Sequence, residues 1–169
     1  MSVVLVGTLD TKSEEISFAS DVLREQGLDV HLVDVGIMDE AEIKADTSAR
    51  DVAKAGGTTL EALRTTGERG HAIEVMGKGA ASIATDLYED DVLDGIFGLG
   101  GSGNTSIATA AMRALPVGVP KLMVSTVASG DVEPYVGAKD IAMFHSVADI
   151  EGINQLTSTV IRNAALAVS

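Results

Sequence analysis

Five short apolar runs, separated by stretches long enough for helices, constrain this chain more than any other feature. Val3-Val4-Leu5-Val6, Val30 to Val35, Gly95 to Leu99, Lys121 to Thr126 and Ile141 to Phe144 read as strands, and most of them lack polar alternation. Strands of that kind lie under helices on both faces, the usual condition of a parallel sheet built from βαβ units. The expected fold is α/β: a Rossmann-like open, mainly parallel sheet of about five strands.

The connections support this. A first helix is expected from Thr11-Lys12-Ser13-Glu14, which has the Ser/Thr-x-x-Glu form of a capping box, to just before Gly27. Residues 36–67 are more polar and read as an insertion of short helices, with a second capping box at Thr58-Thr59-Leu60-Glu61. From Glu68 a long helix carries Ile73, Met76, Ala80, Ile83, Ala84 and Leu87 on one stripe. Gly77 and Gly79 fall inside it at a cost of about 1 kcal/mol each, which argues for a close crossing with a neighbouring helix or subunit. A further helix is expected from Asn104 to Ala114, stopped by Pro116 and Pro120, and a last one from about Asp149 to Ala167. The glycines of the long helix and the alanines of the last one also suggest a homo-oligomer.

Composition narrows the function classes. At 169 residues the chain reads as one domain, 1–169, large enough to bury about 70% of the surface its unfolded form exposes. Cysteine is absent, and Met1-Ser2 leads straight into the first strand with no basic leader, so a cytoplasmic location is expected. No apolar run approaches the roughly 20 residues of a membrane span. A net charge of −13 and only five aromatic residues argue against nucleic acid as a partner. A small phosphorylated ligand remains compatible, because backbone amides, one or two lysines and a divalent cation can make one site positive in an acidic chain.

Gly95 to Ser106 identifies that site. An apolar strand runs into Gly98-Leu99-Gly100-Gly101-Ser102-Gly103 and then into a helix, so backbone N–H groups and the positive end of the helix dipole face whatever sits at the turn. The run satisfies G-x-G-x-x-G, but the next strand ends in Val124-Ser125-Thr126, without the acidic residue that holds a dinucleotide ribose. It is also one residue from the P-loop G-x-x-x-x-G-K-[ST], with Asn104 at the lysine position and Thr105 after it. What survives is an amide-lined anion cradle with hydroxyls from Ser102 and Thr105. The alternative is a tight turn that uses glycine for packing alone.

Two more loops should converge there, because open α/β sheets bind ligands outside the carboxyl ends of the strands. Strand one ends in Gly7-Thr8-Leu9-Asp10-Thr11-Lys12 and strand four in Ser125-Thr126-Val127-Ala128-Ser129-Gly130-Asp131. Lys12 can supply the charge that Asn104 lacks, and Asp10 or Asp131 can hold Mg²⁺. Taken singly, Thr11 and Asp131 serve equally well as helix caps. Asp34 is placed either to meet a ribose or to cap the insertion. His31, His71 and His145 have no metal-ligand spacing and read as structural. No pattern declares a catalytic base.

Residues 6–12, 98–105 and the long block from Ala111 to Val132 resemble the N-terminal half of the family that contains the tomato inhibitor of tomato mosaic virus replication and its bacterial and fungal relatives. The resemblance implies an ATP-binding α/β domain, normally followed by a second α/β domain, so a further domain or a separate chain is an expected partner. It implies nucleotide phosphates near Asp10, Thr11 and Lys12, near Gly100, Gly101, Ser102, Gly103, Asn104 and Thr105, and near Ser125, Thr126, Ser129, Gly130 and Asp131, and the hydroxyl of Thr8 in the first of these loops is expected to join them. The leading expectation is thus an ATP-binding, Mg²⁺-dependent module of a larger enzyme or regulatory assembly. The alternatives are an enzyme acting on a small phosphorylated metabolite, with Asp10 or Asp131 as base, and a structural or oligomerisation domain with an incidental anion site.

Overall fold

A computed structural model describes all 169 residues. The elements run β1 (Ser2–Gly7), α1 (Ser13–Glu25), β2 (Asp29–Asp34), α2 (Ala49–Ala55), α3 (Leu60–Thr66), α4 (Arg69–Glu89), β3 (Gly95–Gly100), α5 (Ser102–Ala114), β4 (Lys121–Ser125), α6 (Glu133–Val136), β5 (Ala142–His145) and α7 (Gln155–Val168). One sheet holds all five strands in the order β2-β1-β3-β4-β5, and every pairing is parallel. The open Rossmann-like α/β architecture expected from the apolar runs is present.

Alternation along each strand divides the core between two faces. Val4, Val6, Ile96 and Met123 pack under α2 to α5. Val3, Leu5, Phe97, Leu99 and Val124 point the other way, against α1 and α7. Phe97 is fully buried in the central strand, a burial worth roughly 1.5–3 kcal/mol for a side chain of this kind. No helix is long and apolar enough to cross a membrane.

Helix ends depart from expectation in informative ways. Thr11 makes no capping box: α1 starts at Ser13, Lys12 occupies the cap position, and no side chain caps the end. Thr59 does cap α3 by accepting from the Ala62 N–H, but Glu61 sits one position too early to reciprocate. The reciprocal box belongs instead to Ser48 and Asp51 at the start of α2. The last helix begins at Gln155, not Asp149, because Asn154 accepts from the N–H groups of Leu156 and Thr157. The helix after the glycine turn begins two residues early, at Ser102, so that Ser102 and Gly103 belong to its first turn.

Gly77 and Gly79 leave α4 unbroken across its 21 residues. Their close approaches are internal. A Cβ on Gly79 would overlap the Val52 carbonyl of α2, whereas one on Gly77 would stand 3.4 Å from Ala110 Cβ on α5. Ala164 and Ala165 of α7 are likewise buried within the chain. These four residues are thus used inside one molecule, while Ala167 of α7 is exposed.

Candidate functional site

The strand order reverses between β1 and β3, and in open α/β sheets the crevice outside the carboxyl ends at that point is where ligands bind. A cleft of about 920 Å³ opens there. Thr8, Asp10, Thr11 and Lys12 line it from the end of β1, and Gly101, Ser102, Gly103 and Asn104 from the end of β3. Thr126 adds a hydroxyl from the end of β4.

The four glycines of the turn have different jobs. A Cβ on Gly98 would lie 2.8 Å from Met123 Sδ and 2.9 Å from Ala108 Cβ, so this glycine serves packing between β3 and α5. Gly100 has φ +154° and would press a Cβ to within 2.8 Å of Asn104 Cβ. Gly101 meets nothing closer than Thr126 Oγ1 at 3.8 Å, and it lines the cleft. Gly103 lies under Arg69, whose Nη2 would be 3.4 Å from an added Cβ. Packing explains the first of the four and backbone geometry the second. The other two keep the start of α5 bare towards the cleft.

Helix ends around the cleft are uncapped. The first N–H groups of a helix have no intrahelical acceptor and are ordinarily met by a side chain. Side chains do this for α2, α3 and α7, whereas α1, α4, α5 and the single-turn α6 have Lys12, Glu68, Gly101 and Val132 at the cap position and no side-chain cap bond. Lys12, Glu68 and Gly101 line the cleft, and Val132 does not.

Several expected ligand groups are committed elsewhere. Ser125 and Thr105 are fully buried, with their hydroxyls 2.6 Å apart, and Thr105 also donates to the Gly101 carbonyl at 2.8 Å. They brace the turn from behind. Lys12 lines the cleft, but its ammonium donates to the Ile150 carbonyl. Asp10 Oδ2 accepts from the N–H groups of Met38 at 2.9 Å and Asp39 at 3.2 Å, so Asp10 holds down the loop after β2. Asp131 accepts from the Glu133 N–H at 3.1 Å, and neither it nor Ser129 nor Gly130 lines the cleft. Thr8 and Thr11 share a hydroxyl bond of 3.0 Å at the rim.

Two acceptors there lack donors. Asn104 is 6% exposed; its Nδ2 donates to the Leu99 carbonyl at 2.6 Å, leaving Oδ1 buried without a partner. Asp10 Oδ1 is buried without a partner as well. No three His, Cys, Asp or Glu side chains gather to hold a metal by themselves.

Asp34 does not reach the cleft. It is 5% exposed, and its Oδ1 accepts from the N–H groups of Leu9 at 3.1 Å and Gly36 at 2.9 Å, tying the β1 and β2 loops together. Burial pushes its carboxyl above the usual 3.8, and those two N–H groups pull it back in part. His31 is bonded to the Thr47 hydroxyl at 2.8 Å, a structural contact.

The far wall comes from the polar insertion and α4. Ile37, Leu63, Ile73 and Met76 form an apolar chamber with Ile107, and Arg64 and Arg69 supply guanidinium groups. Arg64 is engaged with the carbonyls of Ile37 and Asp39, both at 2.8 Å, and with Glu40 at 3.2 Å. The stripe on α4 was legible in the sequence as a packing face, but its turn towards the β3 loop was not. A readable signal existed in Glu68-Arg69, a helix start without Ser, Thr, Asp or Asn to cap it.

Fold and cleft together define an open, doubly wound α/β domain with its crevice at the strand-order reversal. Sequence comparison places it more narrowly. Residues 1–169 match the N-terminal domain of an uncharacterised protein family, UPF0261, and the chain belongs to that family. It is similar to a UPF0261 protein of Clostridium tetani, with 50% identity over 166 residues covering 98% of this chain and 41% of that protein. The UPF0261 protein mlr3387 of Mesorhizobium japonicum is 44% identical over 167 residues, 99% of this chain and 41% of that protein. The ToMV resistance protein Tm-1(GCR237) of Solanum lycopersicum is 37% identical over 180 residues, 98% of this chain and 24% of that protein. The chain thus spans about two-fifths of the length of the bacterial relatives and a quarter of the tomato one, in line with the longer architecture expected from the resemblance.

Proposed function

We propose that this chain is a nucleotide-binding domain that takes ATP with Mg²⁺ in the cleft and serves a larger cytoplasmic enzyme or regulatory assembly. The observation that carries it is that three of the four helix starts without a side-chain cap, α1, α4 and α5, open on one crevice. Unsatisfied N–H groups with a helix dipole behind them favour an anion. The apolar chamber of Ile37, Leu63, Ile73 and Met76 offers the surface a nucleobase needs beside the phosphate end. Asn104 Oδ1, buried without a donor, suits an N–H or O–H of such a ligand. The resemblance to an ATP-binding domain points the same way.

Mg²⁺ in this reading arrives with the phosphates, since it is ordinarily held by one or two carboxylates and the substrate. Asp10, with one oxygen lacking a partner, is the carboxylate that fits, and the ion would neutralise phosphate charge beside an acidic chain.

Ligand stabilisation tests the proposal. At a hundredfold excess of ATP·Mg²⁺ over Kd, unfolding should become harder by about 2.7 kcal/mol, seen as a raised melting temperature. An unchanged melting curve across millimolar ATP·Mg²⁺, ADP and AMP would sink it.

A further inference from the structure

We infer that Arg69 is the residue through which this cleft reads phosphate, in the role that lysine plays in a P-loop. Arg69 depends on the nucleotide reading for its ligand but not for its chemistry. Four of the six arginines, Arg50, Arg64, Arg113 and Arg162, bind a carbonyl or carboxylate. Arg69 binds none, in a chain with 25 acidic residues, and of the two arginines left over it is the one that lines the cleft.

Its position is specific. As the first residue of α4 it projects from one uncapped helix start across to another, with Nη2 over Gly103 in the first turn of α5. A side chain at position 103 would occupy that space, 3.4 Å from Nη2 and 3.6 Å from Ile73 Cδ1. A planar guanidinium beside exposed amides can form two parallel bonds to a phosphate while the amides bind its other oxygens. A second observation at the same place points to a ligand: Asn104, nine-tenths buried in the next position of that turn, keeps Oδ1 without a donor, which an N–H or O–H of a nucleotide can supply and its phosphate cannot. The two other cations of the cleft are engaged, Lys12 with Ile150 and Arg64 with Ile37, Asp39 and Glu40. The counter-charge that Asn104 cannot provide therefore comes from Arg69, with Glu68 beside it as the opposing carboxylate.

Calorimetry on the 169-residue chain and its Arg69→Ala and Arg69→Lys variants, with ATP·Mg²⁺, adenosine and inorganic pyrophosphate, tests this. Arg69 is exposed and unbonded, so both variants should melt where the parent does without ligand. Arg69→Ala should bind ATP·Mg²⁺ about 10- to 100-fold more weakly, the effect of losing a charged hydrogen bond, with adenosine unaffected and Arg69→Lys in between. Unchanged ATP affinity in Arg69→Ala, or an equal loss for adenosine, overturns the role of Arg69 and leaves the nucleotide reading standing. Arg69-dependent binding of pyrophosphate without any binding of ATP or adenosine does the reverse. No binding of any of the three by the parent chain overturns both.

Discussion

Asp34 shows how one buried carboxylate shapes the rim of the cleft. Its two accepted N–H bonds fix the loops after β1 and β2, yet burial holds its carboxyl above 3.8. A raised folded value means that the folded state keeps its proton more tightly than the unfolded chain. This contribution to stability is full below 3.8 and is lost as pH rises through the folded value. Asp34→Asn retains an oxygen that can accept from Leu9 and Gly36 without carrying charge. It should melt higher than the parent near pH 7, with the gap closing below pH 3.8, in thermal scans across that range. A variant less stable than the parent near neutrality would show that the two N–H bonds outweigh desolvation.

Elements were more legible than their ends. The apolar runs place every strand to within a residue or so at each end, because a strand covered on both faces has no room for polar alternation. Helix starts were harder. Thr11-Lys12-Ser13-Glu14 has the letters of a capping box, but the chain at Thr8 to Lys12 folds as a turn, with the Thr11 and Lys12 N–H groups both on the Thr8 carbonyl. Pairing within α4 was equally hidden. Its two glycines look alike in sequence and face different neighbours, so they should respond differently. Gly79→Ala pushes a methyl into the Val52 carbonyl and should cost about 1–3 kcal/mol, the usual effect of overpacking. Gly77→Ala meets Ala110 at 3.4 Å and gains helix propensity, so it should be close to neutral. Denaturant unfolding of the two variants measures the difference, and equal losses would contradict this account of the crossings.

On the scale of the molecule, the sheet order brings the ends of β1 and β3 together, and the cleft inherits its glycine wall from that reversal. The loops at Thr8 to Lys12 and Gly101 to Asn104 were legible in the sequence, whereas Gly100 and Thr105 of the second one do not line the cleft. Sequence reading also grouped Ser129, Gly130 and Asp131 with them, which the turn into α6 carries away from the cleft. It missed Arg64, Arg69, Ile73 and Met76, because hydrophobic periodicity reports which side of a helix is buried and not which loop that helix meets. Gly101 is where the proposed binding of nucleotide phosphate at the bare start of α5 can be tested with little risk to the fold. Its φ of −80° suits any residue, and an added Cβ meets nothing nearer than 3.8 Å. Isothermal calorimetry with ATP·Mg²⁺ should show saturable binding to the parent chain, and none to a Gly101→Val variant that melts at the parent's temperature. Absence of heat with the parent, or undiminished binding by Gly101→Val, would contradict phosphate binding at this turn.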